Sequence, residues 1–288
     1  GWDWDNDGKP NYGTYFMTMN PECVILHFLP IFMTVSNGLL PFDEEMHPQI
    51  NNEYGVEALK ILRKCLECAP PGYLGVDYVG SWRLVWDGTL AMSLNYGDVG
   101  KYLLYGGEGA REGCGPHWKG KMGYAQWPGM YHNGKFVSFN PLFYGRIMAG
   151  TRFTKHPDAV YAVLRELLRP ERKLISLSDV LSCADVYAYS ARDASKWDIP
   201  IDQEFIDTYL GALDHGVPHL MVPGAEEYHR ALGREVIGYI QKKYDEKTCL
   251  ARIEKQWEEI TNRMGRARQQ AAWSSYINRM IEIGFRLK

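Results

Sequence analysis

The sequence has little of what marks a membrane-spanning or nucleic-acid-binding chain. No window approaches the ~20 consecutive apolar residues that a helix needs to cross a bilayer. The longest apolar stretch, Cys23 to Val35, contains a histidine and a proline. The 288 residues carry a formal net charge of -3 without a long run of like charges. Nucleic-acid binding requires a concentrated basic face, so we expect no nucleic-acid partner.

Motifs for catalysis and for zinc are also missing. The sequence contains no G-x-S-x-G, no H-E-x-x-H and no P-loop. His215 and His219 have a four-residue spacing, but Gly216 and Pro218 lie between them and disfavour a helix. We therefore predict neither an enzyme nor a zinc site.

The six cysteines form an even set, which is compatible with up to three disulfides in an oxidising compartment. Free buried thiols explain the same count. Cys65-x-x-Cys68 lies at the end of a predicted helix, before Pro70, whereas a thioredoxin-type site begins one. A structural role is therefore favoured for this pair. The start of the chain, Gly1-Trp2-Asp3, is unlike a signal peptide, so we expect a mature form or a missing start.

Aromatic residues, in contrast, are abundant. The chain has 9 Trp, 19 Tyr and 10 Phe, which together make up 13% of its residues. Tyrosine and tryptophan combine a flat apolar face with a polar group, which suits stacking on sugar rings. For any single ring, filling of the core is the favoured explanation, and stacking on a solute stays open.

The pattern of apolar residues and turn signals predicts helices separated by short strands. Asn51-Asn52 is expected to cap a helix that begins near Glu53. Asn133-Gly134 predicts a hairpin turn, and Leu90 to Leu94 a short buried strand. Further helices are expected from Pro157 to a stop at Pro170, at 199–213, at 226–244 and from Asp245 onward. This order indicates an α/β protein with mixed sheets.

Five segments, taken in order, carry a resemblance that covers nearly the whole chain. They are Asp3 to Gly13 (DWDNDGKPNYG), Asn37 to Leu59, Trp86 to Met92 (WDGTLAM), Thr154 to Glu171, and Pro223 to Trp257. Together they resemble the extracellular solute-binding proteins of sugar ABC importers, the group that includes maltose-binding protein. Each segment alone is weak, and their order and spacing carry the resemblance.

The resemblance implies a two-lobe periplasmic-binding-protein fold of type II-like architecture, with mixed sheets flanked by helices. Residues 1–123 and 183–288 would form the second lobe, and residues 124–182 a portion of the first. Family members usually carry a long segment before the Asp-rich turn, at which this chain begins. The first lobe is therefore expected to be incomplete here. We expect the rest to be another polypeptide, a removed segment or a part that this chain does not include.

The same resemblance indicates which residues would contact a solute. Tyr96 and Asp98 follow the predicted strand, where relatives often stack a ring on the sugar. Tyr144 and Arg146 lie where relatives often show an aromatic motif; the guanidinium at this place would favour an acidic or phosphorylated solute. The remaining candidates are Tyr187, Tyr189 and Tyr228. For each of them the alternative is an ordinary packing role.

The Asp-rich turn repeats the start of a calcium-binding loop. Asp3, Asp5 and Asp7 place alternate carboxylates before Gly8, and such carboxylates can converge on one hard cation. Thr14, however, stands where an EF-hand has its bidentate glutamate. A calcium site and a bare Asx-type turn both remain open.

The resemblance therefore predicts the substrate-binding component of an ABC transporter, which captures a carbohydrate or polyol and catalyses nothing. Its partners would be the transporter's membrane subunits, and its location periplasmic or extracellular, with membrane association an option. The alternative is a non-transport subunit of a larger extracytoplasmic assembly, in which another chain supplies the missing first-lobe segment. A glycan-processing enzyme is a third, weaker hypothesis.

Overall fold

A computed structural model of the chain describes residues 2–3, 6–94, 123–141, 149–179, 186, 189–199, 201–214, 216–217 and 219–282, with the backbone alone at 78, 79, 82, 86 and 189. Within these ranges, none of the helices combines the length and apolar character needed for a membrane crossing. The chain forms two compact units. Unit 1 comprises Gly1–Leu94, Trp127–Phe143 and Asp214–Lys288, and unit 2 comprises Asn95–Gln126 and Tyr144–Leu213.

These units do not follow the boundaries predicted at 123/124 and 182/183. The chain passes between units at 94/95, 126/127, 143/144 and 213/214. Residues 183–213, predicted to belong with the C-terminal helices, belong to the other unit. The assignment of these segments to a first and a second lobe stays a prediction.

Unit 1 is built around helix α1, Pro21–Val35, in which every residue from Cys23 onward is buried. Asn20 precedes it, and Pro21 occupies its first turn, where a missing N–H removes no helical hydrogen bond. Pro30 lies inside α1. An interior proline costs about 3 kcal/mol, which burial of two large apolar side chains offsets.

The described part of unit 1 contains five further helices. They are α2 (Glu53–Leu66), α3 (Tyr78–Trp86), α7 (Ala225–Ile240), α8 (Glu246–Met264) and α9 (Arg266–Glu282). Asn52 caps α2, because its side chain accepts the N–H groups of Tyr54 and Gly55 at 2.9 and 3.0 Å. Helix α7 approaches α1 so closely that a Cβ on Gly233 would lie 1.8 Å from the Pro21 carbonyl oxygen.

Short strands complete unit 1. Strands β1 (Met130–His132) and β2 (Lys135–Val137) pair antiparallel. The predicted hairpin turn between them is confirmed, since Asn133 and Gly134 both adopt positive φ angles, 51° and 80°. Strand β3 (Asn140–Pro141) pairs parallel with β4 (Gly216–Val217). The strand predicted at Leu90–Leu94 is reduced to one bridge, between Leu90 and Tyr12.

Unit 2 contains α4 (Pro157–Leu167), α5 (Pro170–Ser178) and α6 (Gln203–Asp214). Pro170, predicted to be a stop, also opens a helix that the sequence analysis missed. The described core of this unit comprises Leu177, Val186, Ala191, Trp197, Ile201, Phe205 and Ile206. Helix α4 is amphipathic but buries none of its residues, and Tyr161 on it is 66% exposed.

Candidate functional site

Most of the predicted solute contacts lie outside the described residues. These are Tyr96, Asp98, Tyr144, Arg146 and Tyr187. Tyr189 begins a short 3-10 turn, Tyr189–Ala191, and only its backbone is described. The described residues that lie next to Tyr96 and Tyr144 in the sequence form two hydrogen-bonded supports in unit 1. Tyr96 and Tyr144 stand next to the places where the chain leaves unit 1, after Leu94 and after Phe143.

The first of these supports is the segment that leads to Tyr96 and Asp98. Its backbone runs along the end of the Asp-rich turn: the N–H of Ala91 donates to Tyr12 O at 2.9 Å and the N–H of Met92 to Gly13 O at 2.9 Å. The N–H of Tyr12 in turn donates a hydrogen bond to Thr89 O at 2.8 Å. These bonds fix the direction of the chain just before it leaves unit 1.

The second support joins the two ends of the segment Trp127–Phe143. The N–H of Trp127 donates to Asn140 Oδ1 at 2.8 Å, and Ser138 Oγ donates to Trp127 O at 2.6 Å. Phe139 is held in turn by α1, because its N–H donates to Thr34 Oγ1 at 3.1 Å. The described ends of this segment are therefore bonded to each other and to α1.

Trp127 also belongs to a group of three stacked rings in unit 1, with Phe16 and His27. The His27 ring lies 4.9 Å from that of Phe16 and 6.2 Å from that of Trp127, with the planes nearly parallel. His27 Nε2 accepts the N–H of Met17 at 3.3 Å, which places the proton of the neutral ring on Nδ1. Complete burial lowers the pKa of His27 to about 4, so the imidazole is neutral at physiological pH.

The sequence analysis missed this group of rings. The sequence shows two aromatic residues and a histidine, but nothing in the spacing of Phe16, His27 and Trp127 indicates that their rings contact one another. Trp127 is 8% exposed and Phe16 is 3% exposed, so both rings position the backbone and neither offers a face for a solute.

The Asp-rich turn uses its described carboxylates on its own backbone. Asp3 accepts the N–H groups of Asp7 and Gly8 at 3.2 and 3.0 Å, and Asp7 accepts the N–H of Lys9 at 2.8 Å. Lys9 Nζ also lies 3.4 Å from Asp7 Oδ2. Asp5 lies outside the described residues. These bonds define an Asx-type turn; the calcium prediction for Asp3, Asp5 and Asp7 is left untested by them.

Another group of possible metal ligands, Asp43, Glu45 and His47, lies in an exposed turn. Asp43 Oδ1 accepts the His47 N–H at 2.7 Å, and Asp43 Oδ2 lies 3.2 Å from His47 Nδ1. These contacts close the turn around Met46, whose φ is 61°. They account for the proximity of the Asp43 and His47 side chains without a metal ion.

The prediction that Tyr228 contacts a solute is corrected by the structure. Its side chain is fully buried in α7, against Phe42 at 5.5 Å and Trp257 at 6.0 Å. Thr261 Oγ1 donates to Trp257 O at 2.9 Å and therefore accepts the Tyr228 hydroxyl, also at 2.9 Å. The position of Tyr228 near the start of a helix did not predict its burial, because a tyrosine there can either pack in the core or contact a solute.

Solved structures of other proteins share this architecture. No family model matches the chain, and no curated protein matches it by sequence. Among solved structures, maltose-bound MalE3 of T. maritima aligns with a TM-score of 0.66 at 15% identity, over 87% of this chain and 61% of that one. An ABC transporter solute-binding protein of Agrobacterium radiobacter K84, in complex with ribitol, aligns with a TM-score of 0.63 at 15% identity, over 87% and 60% of the two chains.

The maltose/maltodextrin-binding domain MalE of Bdellovibrio bacteriovorus, bound to maltotriose, aligns with a TM-score of 0.60 at 15% identity, over 91% of this chain and 63% of that one. The predicted α/β fold of the two-lobe periplasmic binding proteins is therefore confirmed. The chain spans about three fifths of the length of these neighbours.

Proposed function

We propose that this protein captures a carbohydrate or polyol for an ABC importer and does not alter it chemically. The observation that carries the proposal is the shared fold, with TM-scores of 0.66 and 0.63 to proteins solved with maltose and with ribitol. A solute-binding protein of Agrobacterium vitis S4, solved with D-mannitol, has a TM-score of 0.62. Three hydroxyl-rich solutes on one fold support this chemical class.

The proposed contacts combine aromatic faces with polar groups. Tyr96, Tyr144, Tyr187 and Tyr189 would supply flat apolar surfaces for the C–H faces of a sugar or polyol, with hydroxyl groups at their edges. Asp98 would accept hydrogen bonds from two adjacent hydroxyls, since an ionised carboxylate only accepts. Tyr228 is left out of this set because it belongs to the core.

Arg146 sets the finer specificity in this proposal. A guanidinium offers five N–H donors in a planar fork that matches carboxylates and phosphates. An acidic or phosphorylated sugar should therefore bind more tightly than its neutral parent. Replacement of Arg146 by glutamine removes the charge and should abolish that preference, leaving binding of the neutral solute little changed.

The proposed partners are the membrane subunits of an ABC transporter, and the proposed location is periplasmic or extracellular. Both follow from the proposed function and from the structural neighbours, among which is a solute-binding protein of an ABC transporter. None of these neighbours is named as part of a non-transport assembly, so no observation favours that alternative.

A thermal-shift screen tests the proposal and its contacts together. The purified protein is heated with maltose, maltotriose, ribitol, mannitol and a sugar phosphate. A ligand present at 100 times its Kd stabilises the folded state by about 2.7 kcal/mol, which raises the unfolding temperature measurably. Tyr96→Ala and Asp98→Asn should lose this shift. The control Tyr131→Ala, which removes a tyrosine that is 72% exposed on β1, should keep it.

A further inference from the structure

Two cysteines share the last turn of α2 and the turn that follows it. Cys65 lies within α2 and Cys68 just beyond its end. The N–H of Cys68 donates to Cys65 O at 3.1 Å, which closes a tight turn between them. Such a turn holds its first and fourth Cα atoms less than about 7 Å apart. Disulfide-bonded cysteines usually have Cα atoms about 4.4–6.8 Å apart, so the backbone already suits a disulfide.

The same two thiols are accessible from solvent. Cys68 is exposed and Cys65 is half-buried, and both are free thiols in this structure. Burial raises the pKa of the Cys65 thiol, and a negative charge on Cys68 would raise it further. The two other described cysteines, Cys23 and Cys249, are buried and far from each other in sequence.

The turn is also a point of attachment for the N-terminal segment. The N–H of Gly13 donates to Cys68 O at 2.9 Å, and a Cβ on Gly13 would lie 2.9 Å from the Cβ of Cys68. Gly13 O in turn accepts the N–H of Met92. A change in the backbone at Cys68 would therefore reach the segment that leads out of unit 1 after Leu94.

We propose that Cys65 and Cys68 form a reversible intramolecular disulfide by exchange with a small disulfide such as oxidised glutathione. The exposed Cys68 thiolate attacks one glutathione sulfur and displaces the other glutathione as a thiolate. The Cys65 thiolate then attacks Cys68 Sγ, and the second glutathione leaves. The two protons given up by the cysteines end on the two glutathione thiols, which also take up the two electrons.

This pair differs from a catalytic thioredoxin-type motif. At the carboxyl end of a helix the dipole disfavours a thiolate, whereas at an amino end it stabilises one. Burial of Cys65 raises its pKa and so acts in the same direction as the dipole. Exchange should therefore be slow at neutral pH and accelerate as pH rises, and the pair should be a substrate of oxidation and not an oxidoreductase.

Peptide mapping of the intact protein tests the proposal. The protein is equilibrated with mixtures of oxidised and reduced glutathione, quenched by alkylation and digested with trypsin. Cleavage after Lys64 and Arg83 gives one peptide, Cys65 to Arg83, that carries both cysteines and no other. With increasing oxidised glutathione this peptide should become unalkylated and two hydrogen atoms lighter than its reduced form. Dithiothreitol should reverse the change.

Cys65→Ser provides the matched control. It keeps the exposed attacking thiol and removes the second one, so it should accumulate Cys68 with one bound glutathione, a species that the unmodified protein resolves. A peptide that stays doubly alkylated at the highest ratio, or an unmodified protein that retains glutathione on Cys68, would overturn the proposal. These readouts need no solute and are therefore independent of the proposed function.

Discussion

The backbone N–H of Trp127 donates to the side-chain oxygen of Asn140 at 2.8 Å, in a buried environment. This bond links the first residues of the segment Trp127–Phe143 to its last ones. The chain passes to unit 2 at both ends of that segment, and the second end leads directly to Tyr144 and Arg146. Asn140 therefore ties together the two described ends of the segment that precedes Tyr144 and Arg146 in the sequence.

Asn140→Ala should destabilise the protein by about 1–3 kcal/mol, because it leaves the buried N–H of Trp127 without its acceptor. Asn51→Ala is the matched control, since the Asn51 side chain bonds Glu254 at 2.7 Å on the exposed surface and its loss should cost less than about 1 kcal/mol. Urea unfolding followed by fluorescence measures both. Equal midpoints for the two variants would contradict a structural role for the Trp127–Asn140 bond.

Gly233→Ala should prevent stable folding of unit 1. The added Cβ would lie 1.8 Å from the carbonyl oxygen of Pro21, a backbone atom that cannot move without shifting α1 from α7. Gly75→Ala is the control, because a Cβ there meets nothing within 4 Å. Soluble yield and the circular-dichroism melting curve distinguish the two. A Gly233→Ala protein that melts like the control would show that the helices do not cross this closely.

Tyr228→Phe should lower the free energy of unfolding by about 0.5–1.5 kcal/mol, the usual net value of one hydrogen bond. The lost bond is the one from the Tyr228 hydroxyl to Thr261. Solute affinity, measured by calorimetry, should stay the same because the ring is buried. A tenfold weaker affinity with unchanged stability would restore Tyr228 to the solute contacts.

Acid should destabilise the protein partly through His229. Its ring is buried 4.3 Å from that of His219, and burial, together with repulsion from His219, lowers its pKa to about 3. The unfolded value is about 6.5, so the unfolded chain binds the proton more tightly. This contribution to stability is full above pH 6.5 and is lost as pH falls toward 3.

His229→Leu should therefore flatten the dependence of unfolding free energy on pH between 6.5 and 4.5, by about 2–3 kcal/mol. Urea unfolding at several pH values gives the comparison. Parallel pH profiles for the parent and His229→Leu would mean that His229 is protonated in the folded state as easily as in the unfolded one.

Local chemistry made several elements predictable from the sequence. Asn52 caps α2 because its short polar side chain reaches the backbone N–H groups at the start of the helix, which have no partner within the helix. Asn133-Gly134 forms a hairpin turn because both residues tolerate positive φ angles. The order of the five resembling segments was enough for the fold class, which the structural neighbours confirm.

Features that depend on tertiary contacts were not predictable in this way. Pro30 ends a helix in isolation, but the burial of α1 on all sides outweighs that preference. Leu90 was expected to lie in a strand of five residues. It forms only a single bridge, to Tyr12, because only a short stretch of the backbone around Tyr12 runs beside it. The stacking of His27 on Phe16 and Trp127 joins residues distant in sequence, for which one sequence offers no signal.

Isothermal titration calorimetry of the purified protein with maltose, maltotriose, ribitol, mannitol and a sugar phosphate tests the central claim most directly. The account predicts saturable one-site binding of at least one of these solutes, with the solute recovered unchanged afterwards. It also predicts that Asp98→Asn weakens that binding by at least tenfold. A folded protein that releases no heat with any of them, or that converts one into a new product, would contradict the claim.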